Sequence, residues 1–248
     1  MGGVSVGDVS AAWLAEMIRA RQPCVVLSGA WMSTESGIPD FRSAQGIWAQ
    51  YDPIEVATID AFRRDPARVW EFYARRLRVL GEVEPNDGHR AIAELERRGL
   101  VQAVVTQNVD GLHQRAGSRD VIEVHGSLGR AVCPSCAADE SMEAVLQQLV
   151  DAPVPACPAC GDVLKPGVVM FGELLPAGAI DRAAELARGA ALMLVVGSSL
   201  EVWPVAGLPL EARAFAILNR GPTALDDRAL LKVDAGAGDT LADVVATL

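Results

Sequence analysis

The sequence predicts an α/β fold in which an open parallel sheet carries a smaller, metal-containing lobe. Two observations indicate this. Short apolar segments alternate with helical segments along the chain, and two C-x-x-C pairs interrupt that alternation. A chain of 248 residues with 50% hydrophobic content can bury one sizeable core. We therefore expect a single globular unit with a satellite lobe.

Apolar segments that end in small or polar residues are predicted as buried strands. In an open parallel sheet, ligands bind beyond the carboxyl ends of the strands, so the turns after these segments are expected to converge on one crevice. A shorter strand-like segment runs from Val121 to Val124. The four principal strands are predicted at Cys24–Leu27, Val101–Thr106, Leu192–Val196 and Ala214–Leu218.

Two amphipathic segments are predicted as helices. One covers Val9–Arg21, ahead of the first strand, and the other covers Pro66–Leu80, inside an insertion that runs from Asp40 to Pro85. Cys24, within the first strand, is interpreted as a small core residue. The apolar face of the first helix is expected to contain Trp13, Leu14, Met17 and Ile18.

The two C-x-x-C pairs predict a structural zinc site. Each pair places two thiolates on one tight turn, and the pairs lie about twenty residues apart. Four thiolates leave no open position for a metal-bound water, so the zinc is expected to stabilise the fold rather than to catalyse. The alternative is two disulfides or idle buried thiols, and the cytosolic location expected of an acidic chain without a signal peptide disfavours disulfides. The expected ligands are Cys133, Cys136, Cys157 and Cys160.

Charge and hydropathy exclude other classes of protein. The formal net charge of −10 disfavours direct nucleic-acid binding, which depends on clustered Lys and Arg. The longest apolar stretch, Ala190–Gly197, is too short to span a bilayer. We expect a cytoplasmic protein that contacts neither membranes nor nucleic acid. An acidic surface suits lysine-rich protein partners, although solubility alone also explains it.

Five motifs, arranged in order around the four cysteines, resemble the sirtuins, a family of NAD-dependent protein lysine deacylases. The likeness covers nearly the whole chain, and the order and spacing of the motifs make it specific. The motifs are SGAWMSTESGIPDFR at 28–42, TQNVDGLH at 106–113, EVHGS at 123–127, FGE at 171–173 and GSSL at 197–200.

The resemblance implies one catalytic domain with a Rossmann-like parallel-sheet lobe and an inserted zinc-ribbon plus helical lobe. The NAD-binding lobe would comprise about 1–39, 86–128 and 166–248, and the small lobe about 40–85 and 129–165. In sirtuins NAD is consumed: nicotinamide leaves and the acyl oxygen of the substrate attacks the ribose carbon. The products would be free lysine, nicotinamide and O-acyl-ADP-ribose.

The resemblance also places NAD along the turns after the strands. Gly29 and Ala30 would let backbone N–H groups approach the diphosphate, and Arg42 would clamp it. The turn is not a G-x-G-x-x-G, which disfavours a hydride-transferring dehydrogenase. The full set of expected cofactor-binding residues is Gly29, Ala30, Trp31, Ser33, Glu35, Ile38, Pro39, Asp40, Phe41, Arg42, Trp48, Gln107, Asn108, Val109, Asp110, Gly197, Ser198, Ser199, Asn219, Arg220, Gly221 and Ala237.

Within that set, Gln107 and Asn108 would hold the ribose, Asp110 the nicotinamide carboxamide, and Phe41 would cover the reacting face. Ser198 stands where the family usually has Thr, which keeps a hydroxyl near the adenosine.

His125 is the expected general base. An imidazole with an ordinary pKa of about 6.5 can accept a ribose hydroxyl proton near neutral pH. A hydrogen-bonded structural histidine is the alternative, and the Glu-Val-His-Gly context favours the catalytic role. The other two histidines, His89 and His113, are expected to be structural, with His113 bracing the helix after the ribose-binding turn.

The segment around Tyr73 resembles the sirtuin branch that removes succinyl and malonyl groups. Tyr73 and Arg76 are three residues apart on one helix face, so both side chains can hold one distal acyl carboxylate. The alternative is an ordinary amphipathic helix with solvated arginines at Arg75, Arg76 and Arg78. An acylated-lysine protein or peptide is expected to add as a strand at an edge formed by Gly167–Gly172 and Glu201–Trp203. The remaining expected substrate residues are Val168, Phe171, Gly172 and Glu173.

Trp31 departs from the family pattern, which usually reads Gly-Ala-Gly where this chain has Gly29-Ala30-Trp31. A glycine there permits close backbone approach or a positive φ, and an indole that points inward would occupy cofactor space. Two alternatives to a deacylase therefore stay open. One is an ADP-ribosyl transferase or NAD hydrolase, which would use the same cofactor residues, and the other is an NAD-binding sensor weakened by Trp31.

Overall fold

The computed structural model describes residues 6–248, with side chains from Ser10 onward. Residues 1–5 of the expected large lobe, and the side chain of Val9 in the predicted first helix, lie outside the described residues. Nine strands are present in this range: β1 Cys24–Ser28, β2 Ala103–Thr106, β3 Val121–Glu123, β4 Gly126–Val132, β5 Asp139–Ser141, β6 Lys165–Val168, β7 Leu192–Val196, β8 Phe215–Leu218 and β9 Leu231–Val233.

Nine α-helices accompany these strands in the described part of the chain. None of them is long and apolar enough to cross a membrane. Their bounds are α1 Val6–Ala20, α2 Pro53–Val56, α3 Ile59–Arg64, α4 Pro66–Glu82, α5 Asp87–Arg97, α6 Leu112–Ala116, α7 Met142–Asp151, α8 Ala177–Gly189 and α9 Ala237–Thr247.

A parallel sheet with the strand order β3-β2-β1-β7-β8-β9 forms the centre of the larger lobe. All five predicted strand segments belong to it, so the expected parallel sheet is confirmed. The edge strand β9 was not predicted, because three residues within polar sequence give no periodic signal. Since β1, β2, β7 and β8 lie side by side in parallel, their carboxyl ends meet at one edge of the sheet.

Helices cover both faces of this sheet. Alternate β1 residues point to opposite sides: Val26 packs with residues of α1, α5 and α9, whereas Val25 and Leu27 pack with α8. Strands buried on both faces read as continuous apolar runs, which is why periodicity identified them.

The predicted apolar face of α1 was wrong at one position. Leu14 and Ile18 are fully buried and Met17 is partly buried, but Trp13 is 63% exposed. The buried stripe follows positions 11, 14, 15 and 18, and Trp13 lies off that stripe on the helical wheel.

The smaller lobe joins the helical insertion to the cysteine-bearing segment. Its three-stranded antiparallel sheet has the order β5-β4-β6, and α7 and α2–α4 pack around it. Trp70 of α4 is fully buried, and its indole N–H donates to the carbonyl of Leu164 at 2.7 Å. This bond ties together two segments that are far apart in sequence.

The helix that carries Tyr73 begins where local chemistry predicts. Asp65 caps α4 by accepting from the backbone N–H of Arg68 at 3.1 Å, and Pro66 occupies the first helical position. The apolar residues Val69, Trp70, Phe72, Tyr73 and Leu77 are buried. The cap and these buried residues fix the rotation of α4, and therefore which of its side chains face the larger lobe.

Candidate active site and metal centre

A cavity of about 650 Å³ lies at the carboxyl ends of the central strands, between the two lobes. It contains every expected substrate residue and His125 in its lining. It also contains every expected cofactor-binding residue except Glu35 and Ala237. Residues that contribute to the lining without a sequence prediction are Ser43, Ala57, Leu175 and Pro222.

Glu35 and Ala237 do not line this cavity, contrary to expectation. The Glu35 carboxylate accepts the backbone N–H of Gly238 at 3.0 Å, at the beginning of α9, where a negative charge is favourable. Its other oxygen lies 4.0 Å from the guanidinium of Arg220, which does line the cavity. Glu35 therefore contacts a residue of the cavity lining, Arg220, without lining the cavity itself.

The turns after β1 and β7 touch through their backbones. A Cβ atom on Gly29 would lie 2.8 Å from the carbonyl oxygen of Gly197 and from the Cβ of Ser198. Gly197 has a φ of +65°, which favours glycine. The N–H of Gly29 donates to Val196 and the N–H of Trp31 donates to Gly197, each at 3.0 Å. The turn therefore offers fewer free N–H groups to a diphosphate than expected.

Trp31 does not adopt the backbone conformation that requires glycine, because its φ is not positive. It lies in a 3₁₀ turn, Ala30–Ser36, with a half-buried side chain that forms part of the cavity wall.

Asn108 is held on three sides. Its backbone N–H donates to Thr106 Oγ1 at 3.1 Å, and its side-chain Nδ2 donates to the carbonyl of Gly29 and to Ser33 Oγ, each at 3.1 Å. Both amide hydrogens are thereby used, which leaves Oδ1 as the acceptor for a ligand hydroxyl. The hydroxyl of Ser33 in turn donates to Asp110 Oδ2 at 2.7 Å.

Burial raises the pKa of the Asp110 carboxyl, while hydrogen bonds from the Leu112 N–H and Ser33 act in the opposite direction. Gln107 donates to Ser198 Oγ at 2.9 Å. Sequence therefore predicted a group of residues that the fold does bring into contact.

His125 lies in the turn between β3 and β4. Its Nδ1 is 3.1 Å from the carbonyl oxygen of Gln107, and because a carbonyl only accepts, Nδ1 carries the proton. Nε2 is then the basic nitrogen. Burial lowers the pKa of His125 below its ordinary 6.5, so the ring is neutral at pH 7. His89 and His113 are buried and do not line the cavity.

Arg76 contributes a positive charge to the cavity lining, and its guanidinium packs against two aromatic rings. Its guanidinium carbon lies 5.0 Å from the ring centroid of Phe41 and 5.8 Å from that of Phe72. Nη1 is buried and has no hydrogen-bond partner among the described residues. Burial lowers the pKa of Arg76, and the Tyr73 hydroxyl beside it has its pKa raised to about 12 by burial. Tyr73 therefore stays a protonated donor next to a poorly compensated cation.

The expected peptide edge is anchored to the smaller lobe. Phe171 donates its N–H to Ala57 and accepts from Ile59, at 2.9 and 3.0 Å. The carboxylate of Glu173 accepts from Lys165 Nζ at 3.0 Å and from the Met170 N–H at 2.8 Å.

Ser43, which sequence analysis did not single out, donates to Asp40 at 2.5 Å. Its position directly after the DFR sequence could have indicated that turn.

Known proteins are similar to this chain in sequence and fold. A family model described as the Sir2 family matches residues 29–204. The chain belongs to the Sir2 family. It is 50% identical over 222 residues to NAD-dependent protein deacetylase 1 of Geobacillus kaustophilus, covering 88% of each chain.

Solved structures of the family share the fold. A structure described as Sir2-p53 peptide-NAD+ has a TM-score of 0.87 at 37% identity, covering 94% of this chain and 96% of its own. Sir2Tm bound to a propionylated peptide has a TM-score of 0.86 at 36% identity, with the same coverage.

The four cysteines outside β1 form one cluster whose sulfur atoms all lie within 4.8 Å of one another. Cys133 Sγ is 3.5 Å from Cys160 Sγ, and Cys136 Sγ is 3.6 Å from Cys157 Sγ. Neither distance is that of a disulfide. A tetrahedral ZnS₄ shell with Zn–S bonds of about 2.3 Å has S···S edges of about 3.8 Å, so the cluster fits one zinc ion.

Cys133→Ser should lower the zinc content below about one ion per chain and lower the melting temperature, because the metal binds only the folded lobe. Elemental analysis and thermal unfolding measure both effects. Cys24→Ala is the matched control, since Cys24 lies in the core of the other lobe and the variant should keep its zinc. Full zinc content and an unchanged melting temperature in Cys133→Ser would contradict the assignment.

Proposed function

We propose that this protein removes acyl groups from lysine side chains of proteins in an NAD-dependent reaction, with a preference for acyl groups that end in a carboxylate. The observation that carries the proposal is that one cavity contains both His125 and Arg76. The first suits proton transfer at a ribose hydroxyl, and the second is a cation whose Nη1 is buried without a hydrogen-bond partner among the described residues. Relatives named as NAD-dependent protein deacetylases support the reaction class.

NAD supplies an activated ribose from which nicotinamide can leave. Asn108 Oδ1 would accept from a ribose hydroxyl, because its Nδ2 is already used, and Asp110 would bind the nicotinamide carboxamide. His125 Nε2 would accept the hydroxyl proton, while the Gln107 carbonyl holds the ring through Nδ1. Phe41 lines the cavity and packs against Trp48 with ring centroids 5.3 Å apart, so it would cover the reacting side.

The preference for succinyl or malonyl over acetyl rests on the surroundings of Arg76. A buried guanidinium without a partner is unfavourable, and a carboxylate that reaches it can make charge-assisted hydrogen bonds. Tyr73 adds a hydroxyl donor on the same helix face. An acetyl group is shorter and has no carboxylate, so it would leave Arg76 Nη1 without a hydrogen-bond partner.

Two other activities use the same cavity. An ADP-ribosyl transferase or NAD hydrolase would release protein-bound or free ADP-ribose, and an NAD sensor would bind without turnover. Separation of the reaction products by chromatography distinguishes them, because only a deacylase forms O-acyl-ADP-ribose and free lysine. We propose a cytoplasmic location, where the zinc-binding thiols stay reduced.

His125→Ala should reduce kcat/KM by about 100-fold or more, because the variant lacks the proton acceptor. Steady-state kinetics on an acylated peptide measure this, with peptide affinity as the control that should change little. In the wild type, the pH profile of kcat/KM should fall on the acid side with a midpoint below 6.5, because burial lowers the pKa of His125. Near-normal turnover by the variant would rule out this residue as the base.

Arg76→Met should reduce kcat/KM on a succinylated peptide by about 10- to 100-fold and leave an acetylated peptide nearly unaffected, because only succinyl loses a charged partner. Tyr73→Phe should act in the same direction more weakly. Arg78→Met is the matched control, since Arg78 is exposed on the same helix. Equal losses on both substrates would show that Arg76 supports the fold rather than the choice of acyl group.

Trp31→Gly should tighten NAD binding by about threefold or more and raise kcat/KM, because it frees volume in the cavity wall. The free energy of unfolding should fall by up to about 1 kcal/mol, since glycine gains freedom in the unfolded chain. Trp31→Phe retains most of the bulk and should give little gain. Calorimetric titration with NAD measures each affinity, and weaker binding by the glycine variant would overturn the steric argument.

A further inference from the structure

A buried chain of polar contacts runs beneath the cavity from α6 to Asn108. His113 Nε2 lies 2.8 Å from Ser28 Oγ, and Ser28 Oγ donates to Thr106 Oγ1 at 2.8 Å. Thr106 Oγ1 accepts the backbone N–H of Asn108. Ser28 and Thr106 are the last residues of the neighbouring strands β1 and β2, and both are buried. The contacts therefore join α6, two strand ends and the cavity lining.

The direction of these hydrogen bonds fixes the state of His113. Ser28 donates its only hydroxyl hydrogen to Thr106, so it accepts from His113, and the proton of the neutral ring is on Nε2. Burial lowers the pKa of His113 to about 4, which keeps the ring neutral at pH 7. His113 Nδ1 is buried and lacks a partner in the described part of the chain.

A second histidine packs against the first. The rings of His89 and His113 meet edge to face, with centroids 4.9 Å apart. His89 Nδ1 accepts the Asn86 N–H at 3.4 Å within the cap of α5, and its Nε2 is also buried without a partner in the described residues. Asn86 Nδ2 donates to the carbonyl of Met32 at 2.8 Å. The histidine pair thus links the cap of α5 to the strand ends.

Unpaired polar atoms on two buried rings are unfavourable, and apolar side chains of similar size would avoid that cost. The presence of two histidines is explained if their rings have a role in hydrogen bonding that an apolar side chain could not supply. Among the described residues, the His113 ring makes its hydrogen bond to Ser28, and Ser28 connects through Thr106 to Asn108. Asn108 is also held through its side chain, because its Nδ2 donates to the carbonyl of Gly29, the residue that follows Ser28.

We propose that His113 and Ser28 are positioning residues for NAD, which act through Thr106 to hold Asn108 with its Oδ1 toward the cavity. Without Ser28 Oγ, the His113 N–H and the Thr106 oxygen both lose a partner, and the threonine hydroxyl is free to rotate away from the Asn108 N–H. Asn108 then samples orientations that do not receive the ribose. The inference rests on the proposed use of NAD by this cavity.

The experiment measures NAD affinity by calorimetric titration for the wild type, Ser28→Ala and Thr106→Val. The wild type is measured first, because a failure to bind NAD would refute the proposed function itself. Each single variant should weaken NAD binding by about tenfold, the scale of one lost buried hydrogen bond. The double variant should be little weaker than either single variant, because both break the same chain of contacts.

Rescue by a conservative change tests His113. His113→Gln keeps an N–H donor at nearly the position of Nε2 and should bind NAD within about threefold of the wild type, whereas His113→Phe should weaken binding by about tenfold. The KM for the acylated peptide should stay nearly constant in all variants. A purely structural role for the ring predicts instead that glutamine and phenylalanine act alike.

Val26→Ala is the matched control for lost stability. Val26 is buried in β1 two residues before Ser28, on the same strand face, and belongs to the apolar cluster rather than to the chain of contacts. It should lower the melting temperature yet leave NAD affinity within about twofold of the wild type. The proposal is overturned if Ser28→Ala binds NAD like the wild type, or if Val26→Ala weakens binding as much as Ser28→Ala does. Should His113→Phe not fold, the serine and threonine variants decide the outcome.

Discussion

The backbone contact between the turns after β1 and β7 is the constraint on which the cavity depends. Gly29 and Gly197 approach so closely that a side chain on either would collide with the other turn. This contact fixes the spacing of two adjacent strand ends, and the N–H groups of Gly29 and Trp31 are used to maintain it. On the expected cofactor side, the cavity is therefore lined by closely packed main chain, and side chains such as Asn108 and Arg42 are available to contact a ligand.

The second lobe supplies the other wall of the cavity. The buried indole of Trp70 and the cysteine cluster hold the helical insertion against the antiparallel sheet, and α4 is oriented as a result. That orientation turns Tyr73 and Arg76 inward rather than to solvent. The cysteine cluster packs in the same apolar core as α4, so it helps to place the two side chains that face the cavity.

Electrostatics within the cavity follow from burial. Desolvation keeps His125 neutral, raises the pKa of Asp110 and leaves the Arg76 guanidinium without a full complement of partners. Each of these conditions costs stability, and each suits a group that meets a ligand. Trp31 differs from them, because its indole adds bulk to the cavity wall.

The sequence by itself determined the parallel sheet, the metal ligands and most of the cavity lining. Doubly buried strands and paired cysteines are local signals with direct physical causes, whereas most of the lining residues follow from the resemblance of the motifs to sirtuins. Only the tertiary structure decided the rest. In the structure, Glu35 and Ala237 lie outside the cavity lining, Trp13 is exposed and β9 extends the sheet. The structure also shows hydrogen bonds that connect His113 to Asn108. These outcomes depend on contacts between residues far apart in the chain, for which local patterns carry no signal.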